Sequence, residues 1–462
     1  MPNNGLIRYY GMFNSERLLI TSPKALGEVL TTKNYDFVKP SHFANFLGRL
    51  LGIGILLAEG DEHKQQRKNL MPAFAFRHIK DLYPVFWNKS RDAVLQMTRE
   101  CKEDALKKNE VQGTGNSSAS QWVMDVGGWA SRATLDIIGI AAAGQDFGAI
   151  SNPNTDLSVT YGIVFKPSPQ AQLLGLLNLF LPGWLIRRIP MKRNGEIEKA
   201  ASVIRSTCRQ QIRTKKEKLE KGDLTDVDIL SVALKSGGFS EENLIDQMMT
   251  FLAAGHETTA TAMIWAIYLL SVNPDIQKRL REEIREKLPS IEEEHTITSQ
   301  TIDHMPYLSA VCNEVLRYFP PVPLTLRDAC RDTTIAGEFI PKGTRVVLVP
   351  WAINKDTHYW GADSSKFNPD RWLQSPNNPA SANGGAPSNY SFLTFLHGPR
   401  SCIGQKFAQA EFACLLAAWV GRFEYELNNE EEYDERNIII KGGVTAKPAN
   451  GMHVKAKIVE GW

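Results

Sequence analysis

The sequence predicts a mainly α-helical fold with a smaller β portion. Several long stretches carry apolar residues at i, i+3 and i+4, which is the spacing of a helix with one buried face. A stretch in the last third alternates apolar and polar residues between glycines and prolines, which is typical of strands. No repeat or composition shift marks a boundary, so we expect one domain over residues 1–462 with a large core.

Local signals along the chain predict the individual elements. The segment ERLLITSP (16–23) predicts a short strand that leads into a helix, with Pro23 in the first helical turn. The stretch TTIAGEFIPKGTRVVLVPW (333–351) predicts a β-hairpin, and the polar stretches 108–120 and 374–391 predict surface loops. Helical spacing occurs over the windows 61–72, 80–101, 122–142, 196–220, 241–272, 274–287 and 304–318.

Composition limits the classes of function. The formal charge of +2 is nearly balanced and no long basic stripe carries interleaved aromatic residues, so we expect no nucleic-acid partner. The cysteines have neither the spacing of a zinc site nor the density of a disulfide framework, which favours a reducing compartment. They are Cys101, Cys208, Cys312, Cys330, Cys402 and Cys414.

The sequence contains no segment that predicts a membrane span. No run of about 20 apolar residues is present, and residues 1–40 lack the pattern of a signal peptide. The apolar stretch LLGLLNLFLPGW (173–184) is too short to cross a bilayer. It has two interpretations, a peripheral contact with a membrane interface or a core-facing helix end followed by a Pro-Gly turn.

One cysteine lies in a glycine-punctuated turn, FLTFLHGPRSCIGQKFAQAE (392–411). Cys402 stands between Gly398 and Gly404, where a helix is predicted to begin. Backbone N–H groups and a helix N-terminus stabilise a thiolate, which is a strong metal ligand. A buried structural cysteine is the alternative, and Cys402 alone does not decide between them.

The spacing around Cys402 does discriminate. Phe395, Gly398, Arg400, Cys402 and Gly404 form the pattern F-x-x-G-x-R-x-C-x-G, which resembles the haem-ligand loop of the cytochrome P-450 superfamily. The resemblance implies haem b with the Cys402 thiolate as the axial iron ligand, which favours O–O cleavage. It covers nearly the whole chain and is closest to eukaryotic, fungal-type members.

Two further motifs of this family lie upstream of Cys402. Glu314 and Arg317 form the E-x-x-R pair, and FNPDRW (367–372) resembles the segment whose arginine, here Arg371, joins that pair. The resemblance implies a buried ion network behind the haem. An E-x-x-R pair considered alone is more often a surface helix pair.

The stretch AAGHETT (253–259) resembles the oxygen-binding kink of the family's long central helix. Gly255 would remove side-chain bulk where a ligand approaches the backbone, and Glu257 and Thr258 would supply an acid and an alcohol. The alternative is a threonine that is bonded to the carbonyl four residues earlier.

Haem propionates need cationic partners. In GDEHKQQRKNLMPAF (60–74), His63 and Arg67 lie four residues apart on one helical face. The resemblance adds Arg400 and Arg327 as propionate ligands, with His397 as a weaker candidate.

Three lysines offer a second basic surface. Lys64 and Lys68 fall on another face of the same helix, and with Lys406 they could form a docking patch for an acidic electron donor. Ordinary solvated lysines are an equally good interpretation.

The resemblance implies a monooxygenase that uses O₂ and electrons from NADPH through a flavoprotein reductase. The predicted substrate contacts are 41–57, 251–259, Val322–Leu326 and the loop near Val444, whose apolar content implies a terpenoid, polyketide, sterol or fatty acyl substrate. One alternative is haem-thiolate isomerisation, dehydration or peroxide-driven chemistry, against which Glu257 and Thr258 argue. The other is a non-enzymatic haem-based sensor.

The resemblance also carries an expectation about location. Eukaryotic members usually begin with a membrane anchor, a proline-rich hinge and a first helix, which this sequence lacks before its first strand. A full-length form is expected at the cytosolic side of the endoplasmic reticulum membrane.

Overall fold

The fold is mainly α-helical with small sheets, as the sequence predicts. A computed structural model describes residues 4–112, 121–165, 168–178, 180–223, 228–374 and 383–462. The helices are α1 (Pro23–Gly27), α2 (Ser41–Leu51), α3 (Gly60–Leu70), α4 (Phe76–Gln112), α5 (Val126–Ala143), α6 (Asp156–Phe165), α7 (Pro169–Leu177), α8 (Gly183–Arg188), α9 (Lys192–Glu220), α10 (Ile229–Lys235), α11 (Glu241–Val272), α12 (Pro274–Lys287), α13 (Ser299–Asp303), α14 (Pro306–Tyr318), α15 (Pro350–Ile353), α16 (Thr357–Trp360) and α17 (Gln405–Arg422).

The strands form small separate sheets at the periphery of the helices. They are β1 (Leu6–Tyr10), β2 (Glu16–Ile20), β3 (Phe37–Val38), β4 (Gln121–Asp125), β5 (Thr325–Ala329), β6 (Thr333–Ile335), β7 (Glu338–Ile340), β8 (Arg345–Leu348), β9 (Phe423–Leu427), β10 (Ile440–Gly442), β11 (Ala446–Pro448) and β12 (His453–Ile458). The largest sheet has the order β1-β2-β8-β5-β3, in which only β2 and β8 are parallel. The others are β4-β12-β9, β6-β7 and β10-β11.

Helix α11 forms the centre of the core. Ser240 caps its start by accepting a hydrogen bond from the Asn243 N–H at 3.2 Å, and Glu241 and Glu242 complement the helix dipole. Apolar residues then occur on every side of the helix, which is typical of a buried helix. Helices α5, α9 and α17 pack around it.

Gly255 permits the closest of these helix contacts. A Cβ atom at this position would lie 2.7 Å from Cδ1 of Ile138 on α5. The missing side chain therefore lets α5 approach α11. Helix packing thus gives a reason for the glycine, and the predicted approach of a ligand to its backbone stays a prediction.

Several predicted elements are confirmed and others are wrong. The strand at 16–20 and the helix from Pro23 are confirmed. The hairpin is confirmed for β6 and β7, whose turn residues Ala336 and Gly337 both have positive φ, but β8 leaves it to pair with β2 and β5. The window 122–142 begins with β4, because those residues pair with β12.

The loop predictions fall partly outside the described residues. Residues 108–112 continue α4 instead of forming a loop, because Lys, Glu and Gln sustain a helix when no Gly or Pro interrupts it. The remainder of that stretch, 113–120, and most of the second, 375–382, lie outside the part of the chain that the structure describes.

Candidate active site

The Cys402 loop is a tight turn that is held by its own backbone. The Cys402 N–H donates to the Phe395 carbonyl at 2.9 Å, and α17 begins three residues later at Gln405. Gly398 has φ +75°, and a Cβ atom there would lie 2.1 Å from the Leu30 carbonyl oxygen. The turn therefore requires glycine at position 398, where it passes close to the backbone of Leu30.

The environment of the Cys402 sulfur has opposing electrostatic effects. Burial raises the pKa of the thiol, while the Gly404 N–H and the charge of Arg67 lower it. Burial has the largest effect, so the Gly404 N–H and Arg67 do not fully offset it. A metal ion bound to this sulfur would favour the thiolate, because a coordinating thiol loses its proton.

Arg67 joins helix α3 to the thiol loop. Its guanidinium donates to the Ser401 carbonyl at 2.6 Å and to the Ser401 hydroxyl at 3.3 Å. The predicted cation thus lies beside the residue that precedes Cys402.

A cluster of cations surrounds one carboxylate near this loop. Arg400 forms an ion pair with Glu59, whose other oxygen accepts the Lys39 N–H at 2.8 Å. Burial and the charge of Arg327 lower the pKa of Lys39 to about 7, and burial and the charge of Arg400 lower the pKa of Arg327 to about 10. Burial and the nearby cations also lower the pKa of His63 to about 4. The cluster therefore has an excess of positive charge.

This cluster fits a haem. The Nε and Nη1 atoms of Arg400 are buried and have no hydrogen-bond partner among the described residues, which is costly for a guanidinium. A haem carries two propionate groups. Their two negative charges would neutralise the cations of this cluster that Glu59, with a single charge, leaves unbalanced. The residues that would hold it are Lys39, Arg327 and Arg400 at the propionates and Cys402 at the iron.

The E-x-x-R pair is fully buried. Arg317 donates to both oxygens of Glu314, at 2.7 and 2.8 Å, and neither side chain is exposed. The Glu314 carboxylate also accepts hydrogen bonds from the Arg371 guanidinium at 3.1 Å, the Asn368 N–H at 2.8 Å and the Trp372 indole N–H at 2.9 Å. Both carboxylate oxygens therefore have several donors, as a buried charge requires.

The same network reaches the thiol loop through one buried amide. Arg317 donates to the Asn354 carbonyl at 2.8 Å, while the Asn354 side chain donates to the Thr394 hydroxyl at 2.8 Å and accepts the Leu393 N–H at 2.7 Å. Thr394 precedes Phe395, whose carbonyl accepts the Cys402 N–H. Asn354 therefore connects the ion pair to the cysteine.

The acid and alcohol on α11 both have protein partners. The Thr258 hydroxyl donates to the Ala254 carbonyl at 2.8 Å, which is the bond anticipated by the alternative interpretation of the motif. The Glu257 side chain accepts the Thr445 hydroxyl at 2.8 Å and pairs with Lys447 at 2.7 Å. Thr258 retains its oxygen lone pairs for a further bond.

The structure does not bring every predicted residue into the cation cluster. His397 donates through Nε2 to the Phe392 carbonyl at 3.2 Å, and its ring lies 4.8 Å from that of Tyr390. Its described contacts are within its own loop, so its predicted place among the propionate ligands has no support here. Gly404 caps α17 and would have room for a Cβ atom, whose closest neighbour is Phe74 at 3.8 Å.

Sequence reasoning missed several members of the site. Lys39 and Glu59 lie outside any motif that we recognised, and Asn354 and Lys447 are single polar residues in otherwise ordinary segments. The available signal for Lys447 was its position next to the loop at Val444, which we assigned to substrate.

The thiol loop, the buried ion network and the cation cluster together define a haem-thiolate protein. Comparison with known proteins agrees with this class. The family model described as Cytochrome P450 matches residues 5–453. Cytochrome P450 monooxygenase sphH of Aspergillus fumigatus is 48% identical, over 100% of this chain and 82% of its own length.

Two other fungal relatives show the same extent of similarity. Cytochrome P450 monooxygenase FUM15 of Gibberella moniliformis is 46% identical, over 98% of this chain and 81% of its own length. Cytochrome P450 monooxygenase ALT8 of Alternaria alternata is 43% identical, over 99% and 84%. The chain belongs to the cytochrome P450 family and is an oxidoreductase of the monooxygenase class.

The buried ion pair yields a stability prediction. Replacing Glu314 by alanine leaves Arg317 buried without its carboxylate, which costs roughly 3–5 kcal/mol. We expect Glu314→Ala to lower the melting temperature sharply and to yield protein with little haem. Glu242→Ala is the matched control, because Glu242 pairs with Arg205 while its side chain is 65% exposed. Equal melting temperatures for the two variants would contradict the prediction.

Proposed function

We propose that this cytochrome P450 inserts one atom of O₂ into a lipophilic small molecule of secondary metabolism, such as a terpenoid, polyketide, sterol or fatty acyl chain. One observation carries the proposal. The Cys402 loop lies beside a cluster of cations that have only Glu59 as a described anionic partner, and Arg67 is bonded to the same loop at Ser401. A haem held there would supply the O₂ chemistry, in which two electrons from a reductant and two protons are consumed, one oxygen atom enters the substrate and the other leaves as water. The protein residues bind the haem, orient the substrate and move the protons.

Apolar side chains support the substrate class. The rings of Phe74 and Phe251 lie 5.5 Å apart, and Leu324 and Val444 are exposed although they are apolar. Phe251, Leu324 and Val444 fall in the segments that the sequence assigned to substrate. A lipophilic molecule is what such side chains bind favourably.

Proton delivery is assigned to the acid and alcohol on α11. In this proposal the Thr258 hydroxyl releases its bond to the Ala254 carbonyl and donates its proton in the site. The Glu257 carboxylate takes up a proton from solvent and passes it on to Thr258, so that one proton enters for each one donated. A positioned proton donor of this kind typically contributes 10²–10⁴-fold to rate.

Electrons are assigned to an NADPH-dependent flavoprotein reductase. Lys64 and Lys68 are exposed on α3 and Lys406 is exposed on α17. Arg67 of α3 is bonded to Ser401, four residues before α17 begins. Lys64 also pairs with Asp61 at 2.7 Å. An exposed basic surface beside the Cys402 loop suits an acidic partner.

A peripheral membrane contact is proposed for the stretch around 173–184. No helix in the described residues is long and apolar enough to cross a membrane. Leu173, Leu176, Phe180 and Trp184 are exposed, whereas Leu174 is buried as the core-facing interpretation requires. Exposed aromatic rings that are flanked by arginines suit a bilayer interface, and this contact would place the protein at the endoplasmic reticulum membrane.

The iron ligand is tested by spectroscopy. The reduced carbonyl complex of the wild type should show the strongly red-shifted Soret band of thiolate ligation, and Cys402→Ala should abolish it. Cys330→Ala is the control, because Cys330 is a free cysteine outside the 392–411 turn. A band that persists in Cys402→Ala would overturn the assignment.

The role of Thr258 is tested by comparing two threonines on one helix. With NADPH, a flavoprotein reductase and a substrate, we expect Thr258→Ala to oxidise NADPH but to release hydrogen peroxide, with product reduced roughly 10- to 1,000-fold. Thr261→Ala should behave like wild type, because Thr261 makes the same i−4 bond, to Glu257, at 2.8 Å.

Two results would contradict these assignments. Unchanged coupling in Thr258→Ala would remove Thr258 from proton delivery, and a Thr258→Ala/Thr259→Ala variant would show whether the adjacent hydroxyl has replaced it. A wild type that produces no NADPH-dependent turnover with any reductase would favour the isomerase or sensor alternatives.

The membrane contact is tested by sedimentation with lipid vesicles. Changing Phe180 and Trp184 together to serine should reduce the fraction of protein that sediments with phosphatidylcholine vesicles, because exposed aromatic area drives the contact. Phe339→Ser is the control, since Phe339 is 66% exposed on the β6-β7 hairpin. Equal losses in both variants, or no sedimentation of the wild type, would overturn the proposal.

A further inference from the structure

The Glu257 carboxylate is held by the C-terminal hairpin of β10 and β11. Its Oε1 atom accepts the Thr445 hydroxyl at 2.8 Å and pairs with the Lys447 ammonium at 2.7 Å. The Glu257 side chain is 8% exposed and that of Lys447 is 24% exposed. An acid on the central helix is thus tied to a cation that still reaches solvent.

The hairpin that supplies these groups is itself fixed. The Trp265 indole donates to the Ala446 carbonyl at 2.8 Å, and the Ala446 N–H donates to the Pro321 carbonyl at 3.0 Å. Thr445 and Lys447 flank Ala446, so both donors stand at defined positions relative to α11. The backbone bonds of Ala446 therefore fix where the Thr445 and Lys447 side chains begin.

Electrostatics makes this contact specific. A carboxylate that is removed from water needs a cation or several donors, and Glu257 receives both from one hairpin. The Lys447 ammonium also lies 6.0 Å from the centre of the Phe165 ring, of which it is a cation–π neighbour. Loss of Lys447 would leave Glu257 buried with one neutral donor, and the carboxylate would turn towards another partner.

We infer that Thr445 and Lys447 are positioning residues that set the direction of the Glu257 carboxylate for proton delivery. The inference rests on the proposed function. Since Val444 immediately precedes Thr445 and is assigned to substrate contact, the hairpin links the substrate side of the pocket to the acid on α11.

The test measures the position of the carboxylate in the haem-loaded protein. Carbon monoxide bound opposite the thiolate reports the local electric field through its C–O stretching frequency. We expect Lys447→Met to shift or split this infrared band and Lys447→Arg to restore it. In a Glu257→Gln background, Lys447→Met should produce no further shift, because the group that Lys447 positions is then neutral.

Lys441→Met is the matched control. Lys441 is the cross-strand neighbour of Lys447 in the same hairpin, and its side chain is exposed. It should leave the infrared band unchanged. Thr445→Val provides a milder change if Lys447→Met fails to bind haem, with the shift expected again and Thr445→Ser expected to match wild type.

Thermal unfolding separates a positioning role from a structural one. The inference would be overturned if Lys447→Met and Glu257→Gln each lowered the melting temperature, the double variant lowered it no further, and the C–O band stayed unchanged. That result would show an ion pair with a structural role only. An identical band shift in Lys441→Met would also overturn the inference. The Soret band of the same carbonyl samples reports thiolate ligation independently, so a failure of the proposed haem-thiolate function is visible separately.

Discussion

The buried carboxylate of Glu314 is the interaction on which the site depends. A charge with no exposure must be satisfied completely, and the donors that satisfy Glu314 come from α14 and from the segment that ends at Trp372. Arg317 then uses its remaining N–H groups on backbone carbonyls, including that of Asn354. The turn before Cys402 is bonded to the Asn354 side chain, so the position of the thiol follows from a carboxylate on another element.

Parts of this arrangement are visible in the sequence because their spacing is local. Glu314 and Arg317 are one helical turn apart, and the Cys402 loop is a continuous motif. The partners of these motifs are not local. Glu59 meets Arg400, and Lys447 meets Glu257, only because the chain folds back from distant segments, and no periodicity encodes such contacts.

Gly255 shows a second limit of sequence reasoning. A glycine indicates that some atom approaches closely, but the sequence does not say which atom. The motif predicts a ligand near the backbone, and the structure additionally shows that Ile138 of α5 fills the space that a side chain at position 255 would need. The alternative interpretation of the same motif included the bond of Thr258 to the carbonyl four residues earlier, but nothing in the sequence indicated that Thr445 and Lys447 would hold the Glu257 carboxylate.

The first predicted substrate segment is fastened to α11 mainly through its backbone. The N–H groups of Ile53 and Ile55 donate to Asp246 and Gln247 at 3.0 and 2.9 Å, and a Cβ atom on Gly54 would lie 2.4 Å from the Thr250 hydroxyl. Backbone bonds of this kind do not depend on the identity of the side chains at 53 and 55. Under the proposed substrate role of this segment, a substitution at the exposed Ile53 would alter a substrate contact while the segment keeps its place against α11, which would separate substrate choice from the geometry of oxygen chemistry.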